Sequence, residues 1–414
     1  MLKLGVVVIH IPNNINVAQQ VLVGDSKYLG NFSLPVWDAS RIEFLAGLSR
    51  LLLKSKNARQ FPDVITFAYW LRKSNLHTLK NSSPYVNKTQ MGLGLTFHIC
   101  PANVAVNFAY SMAFGLLAGN TCVLRLPSTN TPTTQVIVDA IKDLLQTSQY
   151  AYMQESLLLL RYQHNDDVNA FWLGKADGRI IWGGDNTVKH MRSFQVPARS
   201  KEIAFSDRYS FCILKASSII ELKKDEDEYH HVVESLYNDI FLMDQAACSS
   251  PQLVVWVGNK NKVNVAQKKL WSALSSFAEK KYTMSEIQVM NKYVDLCEAV
   301  ITNTNIDKVN QYNKCLTTIE LSTLDKNQES IRGYSGTIYE SKLEDISELS
   351  GIINERYQTL SYLGFEPEDL VTFIEENRLR GIDRIVPIGQ AIDMNTLWDG
   401  YDIITSISRI IAIN

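Results

Sequence analysis

A cysteine in a short polar loop is the residue of this chain whose surroundings best suit covalent chemistry. The segment Asp244-Gln-Ala-Ala-Cys248-Ser-Ser-Pro-Gln252 follows a helical pattern and precedes an apolar run over residues 253–257. The ionised thiol is a strong nucleophile, and an acyl group held on it as a thioester is open to attack by a second reactant. The loop therefore predicts thioester chemistry at Cys248. The alternative is that Cys248 is a small buried hydrophobe, the commoner role of a free cysteine.

The composition limits the classes of protein to consider. The chain has 414 residues, of which 46% are hydrophobic and 20% charged, enough for two or three domains with buried cores. A net charge of −2 gives no reason to expect nucleic acid or an acidic membrane surface as a partner. The six cysteines form no C-x-x-C pair and the seven histidines have no ligand spacing, which predicts a reduced, cytoplasmic protein without a metal site.

Neither a membrane span nor a signal peptide is expected. No apolar run approaches the roughly 18 residues that a membrane-spanning helix requires. The apolar start, residues 1–10, lacks a small-residue cleavage site and is followed by Ile11-Pro-Asn-Asn, so we interpret it as a β-strand.

The elements that must position these residues follow a regular alternation from about residue 92. Residues 93–100 are predicted to form a strand, 104–118 an apolar helix and 121–126 a second strand. The next helix begins with Thr131 as its cap and Pro132 in its first turn, where proline is tolerated. Short, continuously apolar strands that alternate with helices are typical of a parallel sheet covered on both faces.

This alternation predicts an α/β protein in three parts. Residues 1–207 would form an N-terminal region and a dinucleotide-type cofactor-binding domain, and residues 208–380 a second α/β domain that carries the cysteine. Residues 381–414 would form a C-terminal segment that packs back on the core and ends in a helix reaching residue 411. No G-x-G-x-x-G motif occurs, so the standard dinucleotide fingerprint is absent from the sequence.

Four motifs occur in order along the chain: His98-Ile-Cys-Pro-Ala-Asn103, residues 116–128, Ile181-Trp-Gly-Gly-Asp185, and Gln245-Ala-Ala-Cys248. Together they resemble the aldehyde dehydrogenase superfamily, and more closely its acyl-thioester reductase branch, the LuxC family. The ending Gly381-Ile-Asp-Arg-Ile-Val-Pro-Ile-Gly389 is similar to that branch specifically. The resemblance extends from about residue 90 to the C-terminus. It implies an aldehyde dehydrogenase-like fold with a Rossmann-type cofactor domain and a second α/β catalytic domain.

The resemblance also implies catalytic roles for two matching positions. Cys248 would be the nucleophile, and the side-chain amide of Asn103 would help to form the oxyanion hole, where one fixed donor is worth about 3 kcal/mol. The alternative is that Asn103 caps a helix that starts at Val104, and the two roles are compatible.

The implied cofactor residues are Arg125, Ser128, Gly183 and Gly184. Arg125 and Ser128 fall where the superfamily contacts the adenosine ribose; an arginine without a neighbouring carboxylate favours the 2′-phosphate of NADPH over NADH. The alternative is that Arg125 is a surface residue at a strand end. Gly183 and Gly184 lie between a strand and a helix, where backbone can approach a pyrophosphate closely, although such a turn can also be an ordinary loop.

Three further residues have open roles. Glu202 falls near the superfamily glutamate that activates hydrolytic water, but Ala204-Phe205 replaces the glycine pair that usually follows it. A thioester reductase needs no hydrolytic base, so Glu202 is either structural or water-activating. Gln245 stands three residues before the cysteine, as in the reductase branch, rather than two. For His98, packing is favoured over acid–base catalysis.

The function that the resemblance implies is the NADPH-dependent reduction of an acyl thioester to an aldehyde, through an S-acyl intermediate on Cys248. The donor would be acyl-CoA or an acyl-carrying or acyl-transferring protein, and the chain is expected to form a homo-oligomer. Two other functions stay open: an ordinary NAD(P)-dependent aldehyde or semialdehyde dehydrogenase, and a cysteine acyltransferase without redox activity.

Overall fold

The computed structural model describes residues 7–8 and 20–413. The chain divides into two compact units, of which the first comprises Met1–Ser206 and Asn395–Asn414 and the second comprises Asp207–Met394. Of the strand predicted over residues 1–10, Val7–Val8 is a strand, and the remainder lies outside the described residues. Within the described ranges, no helix has the length and apolar character needed to cross a membrane.

The part of the first unit up to residue 206 alternates strands with helices. Its strands are β1 (Val7–Val8), β2 (Gln20–Val23), β3 (Gly30–Asn31), β4 (Gln90–Gly92), β5 (Leu95–Ile99), β6 (Thr121–Leu126), β7 (Leu157–Arg161), β8 (Gly178–Trp182) and β9 (Lys201–Phe205). Its helices are α1 (Ala39–Lys54), α2 (Pro62–Trp70), α3 (Lys73–Ser82), α4 (Asn107–Leu117), α5 (Pro132–Gln146), α6 (Asp166–Leu173) and α7 (Asp185–Arg192).

The main sheet of the first unit has the strand order β2-β7-β6-β5-β8-β9 among the described residues, and its strands are parallel except for β2. The chain moves from β5 to one side through β6 and β7, then returns to the other side through β8 and β9. In doubly wound sheets of this kind, ligands bind beyond the carboxyl ends of the strands at the point of reversal. Here that point lies between β5 and β8, which lead into residues 100–106 and 183–184.

Two sequence predictions concern the helices beside this sheet. The cap of α5 is confirmed, because the hydroxyl of Thr131 accepts a hydrogen bond from the backbone N–H of Thr134 at 3.1 Å. The helix predicted from Val104 begins instead at Asn107, and residues 104–106 form a bend and turns. Apolar periodicity alone cannot separate a partly buried turn from the first turn of a helix.

The second unit repeats this architecture with a different order. Its strands are β10 (Tyr209–Lys215), β11 (Pro251–Val257), β12 (Ile306–Gln311), β13 (Thr317–Leu321), β14 (Thr337–Leu343), β15 (Tyr357–Leu363) and β16 (Arg384–Pro387). Its helices are α8 (Ala216–Glu221), α9 (Asp227–Phe241), α10 (Lys260–Lys281), α11 (Glu286–Thr302) and α12 (Pro367–Glu376). Among the residues that the structure describes, the strands form one sheet in the order β12-β13-β14-β11-β10-β15-β16, with only β12 antiparallel.

Because the strands β10, β11 and β13 to β16 are parallel, the loops that precede them converge on one side, which we name the amino edge of the second sheet. Residues 242–250 lead into β11 at this edge, and residues 331–336 lead into β14. Every residue of β11 is buried, so the loop before it joins the centre of the unit directly.

The C-terminal part of the first unit contains β17 (Leu397–Trp398), β18 (Tyr401–Asp402), α13 (Ile403–Ser406) and β19 (Ser408–Ile410). The predicted final helix to residue 411 is wrong, because α13 has four residues and is followed by β19, which pairs antiparallel with β4. A strand partner more than 300 positions earlier in the chain overrides the local helical pattern. The predicted α/β class is confirmed in both units.

Candidate active site

Cys248 lies in the loop between α9 and β11, and its side chain is partly exposed. Among the other cysteines, Cys297 is exposed and the rest are buried: Cys100, Cys122, Cys212 and Cys315. Burial raises the pKa of the Cys122 and Cys212 thiols to about 12, so both stay protonated at neutral pH. Cys248 is therefore a solvent-accessible thiol on the loop that leads into the buried strand β11. The four buried thiols lack the accessibility, and Cys297 lies on helix α11 instead.

The loop that carries Cys248 is braced by the side chain of Gln245, which is 1% exposed. Its amide nitrogen donates to the carbonyls of Pro251 and Thr337 at 3.1 and 3.0 Å, and its amide oxygen accepts from the N–H of Gly336 at 3.0 Å. Asp244 and Gln245 have φ angles of 51° and 60°. Such angles are unfavourable for residues other than glycine and persist only where the surroundings hold them. Gln245 thus fixes the loop to β11 and β14.

A second set of bonds supports the same loop from the residues before β14. Gln252 donates to the carbonyl of Gln245 at 3.1 Å and accepts from the N–H of Gly333 at 3.0 Å. The N–H of Ser335 donates to the carbonyl of Asp244 at 3.2 Å, and the buried ammonium of Lys292 donates to the carbonyl of Ser335 at 2.9 Å. Burial lowers the pKa of Lys292 to about 8. The Cys248 loop is therefore held by a network of buried hydrogen bonds to backbone groups.

The backbone of Cys248 is itself anchored to the sheet. Its carbonyl accepts a hydrogen bond from the hydroxyl of Ser210 at 2.7 Å, and the same hydroxyl accepts from the N–H of Thr359 at 3.2 Å. Ser210 lies on β10 and Thr359 on β15, so two strands on one side of β11 set the position of the cysteine.

In the first unit, Asn103 is exposed in the loop that follows β5, at the point where the strand order reverses. The alternative role as a helix cap is wrong, because Val106 occupies the cap position of α4. An exposed amide at the carboxyl end of β5 is suitably placed to contact a ligand. Its part in an oxyanion hole stays a prediction.

Arg125, near the end of β6, is only 9% exposed, so its interpretation as a surface residue is wrong. Its guanidinium lies over the ring of Tyr162, 5.0 Å from the centroid. The Nε atom is buried and has no hydrogen-bond partner among the described residues. A buried donor without a partner is unfavourable, and an anionic ligand would supply one. This unsatisfied group fits the phosphate of a dinucleotide.

Arg161 ends the neighbouring strand β7 and was not among the site residues predicted from the sequence. It is 9% exposed and donates to the carbonyl of Pro127 at 3.2 Å and to the side chain of Asn130 at 2.7 Å. These bonds hold the loop after β6, on which Ser128 is exposed. The sequence did contain an indication of this residue, because an arginine ends the otherwise apolar strand Leu157–Arg161.

The two glycines after β8 differ in their surroundings. A Cβ atom at Gly183 would meet the side chain of Thr187 at 3.0 Å, whereas one at Gly184 would meet no described atom within 4 Å. Gly184 occupies the cap position of α7 with a φ of −61°, which any residue can adopt. The glycine thus leaves open space above the start of α7. Asp185 lies in the first helical turn, where a carboxylate favours the helix but repels an anion.

Glu202 and His98 both make contacts that favour structural roles. The Glu202 carboxylate forms ion pairs with Arg179 at 2.6 Å and Arg192 at 2.7 Å, both within the first unit. The fully buried ring of His98 is hydrogen-bonded to the hydroxyls of Thr96 at 2.9 Å and Ser111 at 2.7 Å. Burial lowers the pKa of His98 to about 3, so the ring is neutral and closed to solvent. Among the described residues, no cluster of histidine, cysteine and acidic side chains suits a metal ion.

This architecture is that of the aldehyde dehydrogenases. Aldehyde dehydrogenase 21 from Physcomitrella patens, solved with its product succinate, superposes with a TM-score of 0.62 at 11% identity, covering 90% of this chain and 85% of that one. Aldehyde dehydrogenase C from Pseudomonas syringae, solved as a cysteine-to-alanine mutant with NAD+ and octanal, gives a TM-score of 0.57 at 12% identity, covering 84% and 76%.

The family can be stated more narrowly. The family model for LuxC acyl-CoA reductases matches residues 72–410, and the chain belongs to that family. A long-chain acyl-protein thioester reductase from Aliivibrio fischeri is 23% identical over 309 residues, which is 72% of this chain and 58% of that protein. The corresponding reductase from Vibrio harveyi is 23% identical over 211 residues, 47% of this chain and 41% of that protein. The chain therefore spans less than two thirds of the length of these relatives.

Proposed function

We propose that this chain reduces an acyl thioester to an aldehyde with NADPH, through an S-acyl intermediate on Cys248. The observation that carries the proposal is a partly exposed thiol on a loop that buried hydrogen bonds of Gln245 hold in place. Membership of the LuxC family and the names of the two bacterial relatives support the choice of a thioester as substrate.

The chemistry begins at the sulfur. The Cys248 thiolate attacks the carbonyl carbon of the thioester, the C–S bond to the donor breaks, and the donor leaves as a thiol after taking up a proton. A fixed amide donor to the oxyanion of this tetrahedral state is worth about 3 kcal/mol, and Asn103 is the residue we propose for that role. The acyl group is then held on Cys248, which divides one difficult step into two easier ones.

The second half of the reaction returns the enzyme to its starting state. When bound, NADPH supplies the hydride that reduces the acyl carbon. The resulting thiohemiacetal on Cys248 collapses by breaking its C–S bond, which releases the aldehyde and regenerates the thiolate. The balance is one thioester, one NADPH and one proton in, and one aldehyde, one thiol and one NADP+ out.

Four residues of the first unit would hold NADPH: Arg125, Ser128, Gly183 and Gly184. The buried, unsatisfied Nε of Arg125 supports a phosphate ligand there, and the open space at Gly184 supports close approach of a pyrophosphate. Preference for NADPH over NADH rests on Arg125 and on the lack of a carboxylate at Ser128. The acyl donor is either acyl-CoA or an acyl-carrying protein, and a homo-oligomer stays a prediction.

Of the two alternative functions, the hydrolytic aldehyde dehydrogenase receives no support from Glu202, whose carboxylate is held by two arginines. A cysteine acyltransferase without redox activity would accept acyl groups but bind no NADPH, so a fluorescence titration with NADPH separates it from a reductase.

The proposal is tested with the variant Cys248→Ser, using radiolabelled acyl-CoA for acylation and NADPH oxidation for reduction. We expect both signals to disappear, because a serine hydroxyl is a far weaker nucleophile than a thiolate. Cys297→Ser is the matched control, since Cys297 is an exposed thiol on α11, and it should behave as the unchanged protein. A Cys248→Ser protein that reduces substrate at the normal rate would rule out the proposed intermediate.

A further inference from the structure

Helix α11 carries a row of exposed, mostly apolar side chains along one side. We name this row the α11 stripe, and its members are Ile287, Met290, Val294, Cys297 and Ile301. Their spacing of three and four residues places them on one side of a helix with 3.6 residues per turn. Apolar residues at this spacing are the pattern by which one helix packs along another.

The inward side of α11 is less apolar than the α11 stripe. Leu296 and Ala299 pack against the core, and Lys292, one turn earlier on the same side, is 7% exposed. The ammonium of Lys292 donates to the carbonyls of Cys315 at 2.5 Å and Ser335 at 2.9 Å. A surface helix normally buries its apolar side and exposes its charged residues. Because α11 reverses this arrangement, its outward side is typical of an interaction surface.

The apolar area on α11 is large enough for a dimer interface. Six large apolar side chains on this helix are between 49% and 82% exposed: Ile287, Met290, Tyr293, Val294, Val300 and Ile301. Together they offer roughly 500 Å² of apolar surface, as much as the largest apolar patch of a typical monomer. A standard interface covers about 800 Å² on each partner, of which about 60% is apolar. The apolar area of α11 therefore equals what one side of such an interface requires.

The α11 stripe is nearly the same in both directions along the helix. Val294 lies at its centre, with Ile287 seven residues before it and Ile301 seven residues after it. In an antiparallel pair with a two-fold axis at Val294, Ile287 of one copy lies beside Ile301 of the other. A two-fold interface uses the same surface of both copies, so it requires a self-complementary pattern of this kind.

The charges on α11 favour the antiparallel direction. Among its residues, those that carry an exposed charge are all acidic: Glu286, Asp295 and Glu298. A parallel pair would place each carboxylate beside its own copy, whereas an antiparallel pair separates the two Glu286 side chains by roughly 25 Å, the length of the helix. Antiparallel helices also align their dipoles favourably. The same carboxylates disfavour an acidic protein as the occupant of this surface.

We propose that the α11 stripe is the contact between two copies of this chain, with the two helices antiparallel about a two-fold axis at Val294. The proposal goes beyond the proposed function and does not depend on it. It assigns a surface to the homo-oligomer expected from the sequence. The contact also covers the helix that supports the Cys248 loop, because Lys292 binds Ser335, whose N–H donates to the carbonyl of Asp244.

The first test measures molecular mass by sedimentation velocity at micromolar concentration. We expect Val294→Asp to halve the mass of the unaltered protein, because it places two carboxylates in an apolar contact at the axis. The matched control is Val265→Asp on α10, since Val265 is 57% exposed and Val294 is 53% exposed. The control should keep the mass of the unaltered protein. An unaltered chain that sediments as a monomer, or a Val294→Asp protein of unchanged mass, overturns the proposal.

The second test cross-links the unaltered chain through Cys297. In the proposed pair, the two Cys297 residues are about 13 Å apart, since each lies three residues from the axis and packed helices are 8–10 Å apart. A bis-maleimide of that span should join two chains at Cys297, as mapped by mass spectrometry, and Val294→Asp should abolish this product while Val265→Asp retains it. An unaltered chain without a Cys297 cross-link contradicts the proposal.

Oxidation without a linker tests the direction of the two helices. A disulfide requires Cα atoms within about 7 Å, so the antiparallel pair should form none between the two Cys297 residues. A Cys297 disulfide would indicate a parallel pair and overturn the proposed arrangement. None of these measurements uses substrate or cofactor, so their outcome is independent of the result with Cys248→Ser.

Discussion

The Cys248 loop of the second unit and the end of β6 in the first unit differ in how one buried polar side chain is satisfied. Around Cys248 in the second unit, Gln245 uses both ends of its amide on buried backbone partners. In the first unit, the Nε of Arg125 is buried without a partner among the described residues, and Gly184 faces open space. Under the proposed function, the loop that carries the nucleophile is held by the protein itself, whereas the group that receives a ligand is left to be satisfied by that ligand.

The largest loss of stability and of acylation should come from removing the side-chain amide of Gln245 in the second unit. Gln245→Ala would remove three buried hydrogen bonds, two to the carbonyls of Pro251 and Thr337 and one from the N–H of Gly336. We expect the free energy of unfolding to fall by about 3 kcal/mol, since each of the three hydrogen bonds is worth about 1 kcal/mol. Acylation of Cys248 should fall with it. Chemical denaturation measures the first and radiolabelled acyl-CoA the second.

The matched control for this variant is Gln146→Ala, at the exposed end of α5. It should change neither quantity. If Gln245→Ala were as stable and as readily acylated as Gln146→Ala, the hydrogen bonds of Gln245 would not be what holds the Cys248 loop. The proposed contrast with Arg125 in the first unit would then be wrong.

An effect of intermediate size is expected at Arg125 in the first unit, where substitution should weaken ligand binding without lowering stability. Arg125→Gln removes a buried donor that has no partner among the described residues, so the free energy of unfolding should stay the same or rise. Affinity for NADPH should fall by roughly tenfold, the worth of a charge-assisted hydrogen bond, while affinity for NADH changes little. Fluorescence titration with each nucleotide measures this. Equal losses for the two nucleotides would remove the argument for a 2′-phosphate at Arg125.

The smallest effect is expected at Glu202. Glu202→Gln breaks ion pairs with Arg179 and Arg192 that are partly open to solvent, and the loss of stability should be below about 1 kcal/mol. The rate of thioester reduction should be unchanged, because the proposed mechanism uses no hydrolytic base. A large loss of turnover in Glu202→Gln would indicate that Glu202 activates water. That result would favour the alternative function, an ordinary aldehyde dehydrogenase.

Local sequence signals predicted much of the fold but not its long-range pairings. Thr131 capped its helix as expected, since capping depends on residues three positions apart. The start of the predicted helix over residues 104–118 and the predicted C-terminal helix were wrong, because residues 104–106 form a bend and turns and β19 pairs with β4. These outcomes depend on contacts that no local pattern contains.

At the candidate site, too, local features could be predicted from the sequence and long-range contacts could not. Residue type and loop context were enough to select Cys248 as a candidate. The role of Gln245 could not be predicted, because its partners Gly336 and Thr337 lie about 90 positions further along the chain. Arg161 was not predicted for the same reason, since the residues it holds belong to a loop whose shape the sequence does not show.

The central claim is that the thiol of Cys248 carries the acyl group. The most direct measurement incubates the unaltered protein with an acyl-CoA in the absence of NADPH, then maps the acylated peptide by mass spectrometry. The account predicts a hydroxylamine-sensitive acyl group on Cys248, which disappears when NADPH is added and aldehyde is formed. An unmodified Cys248, with the acyl group on another side chain, would contradict it.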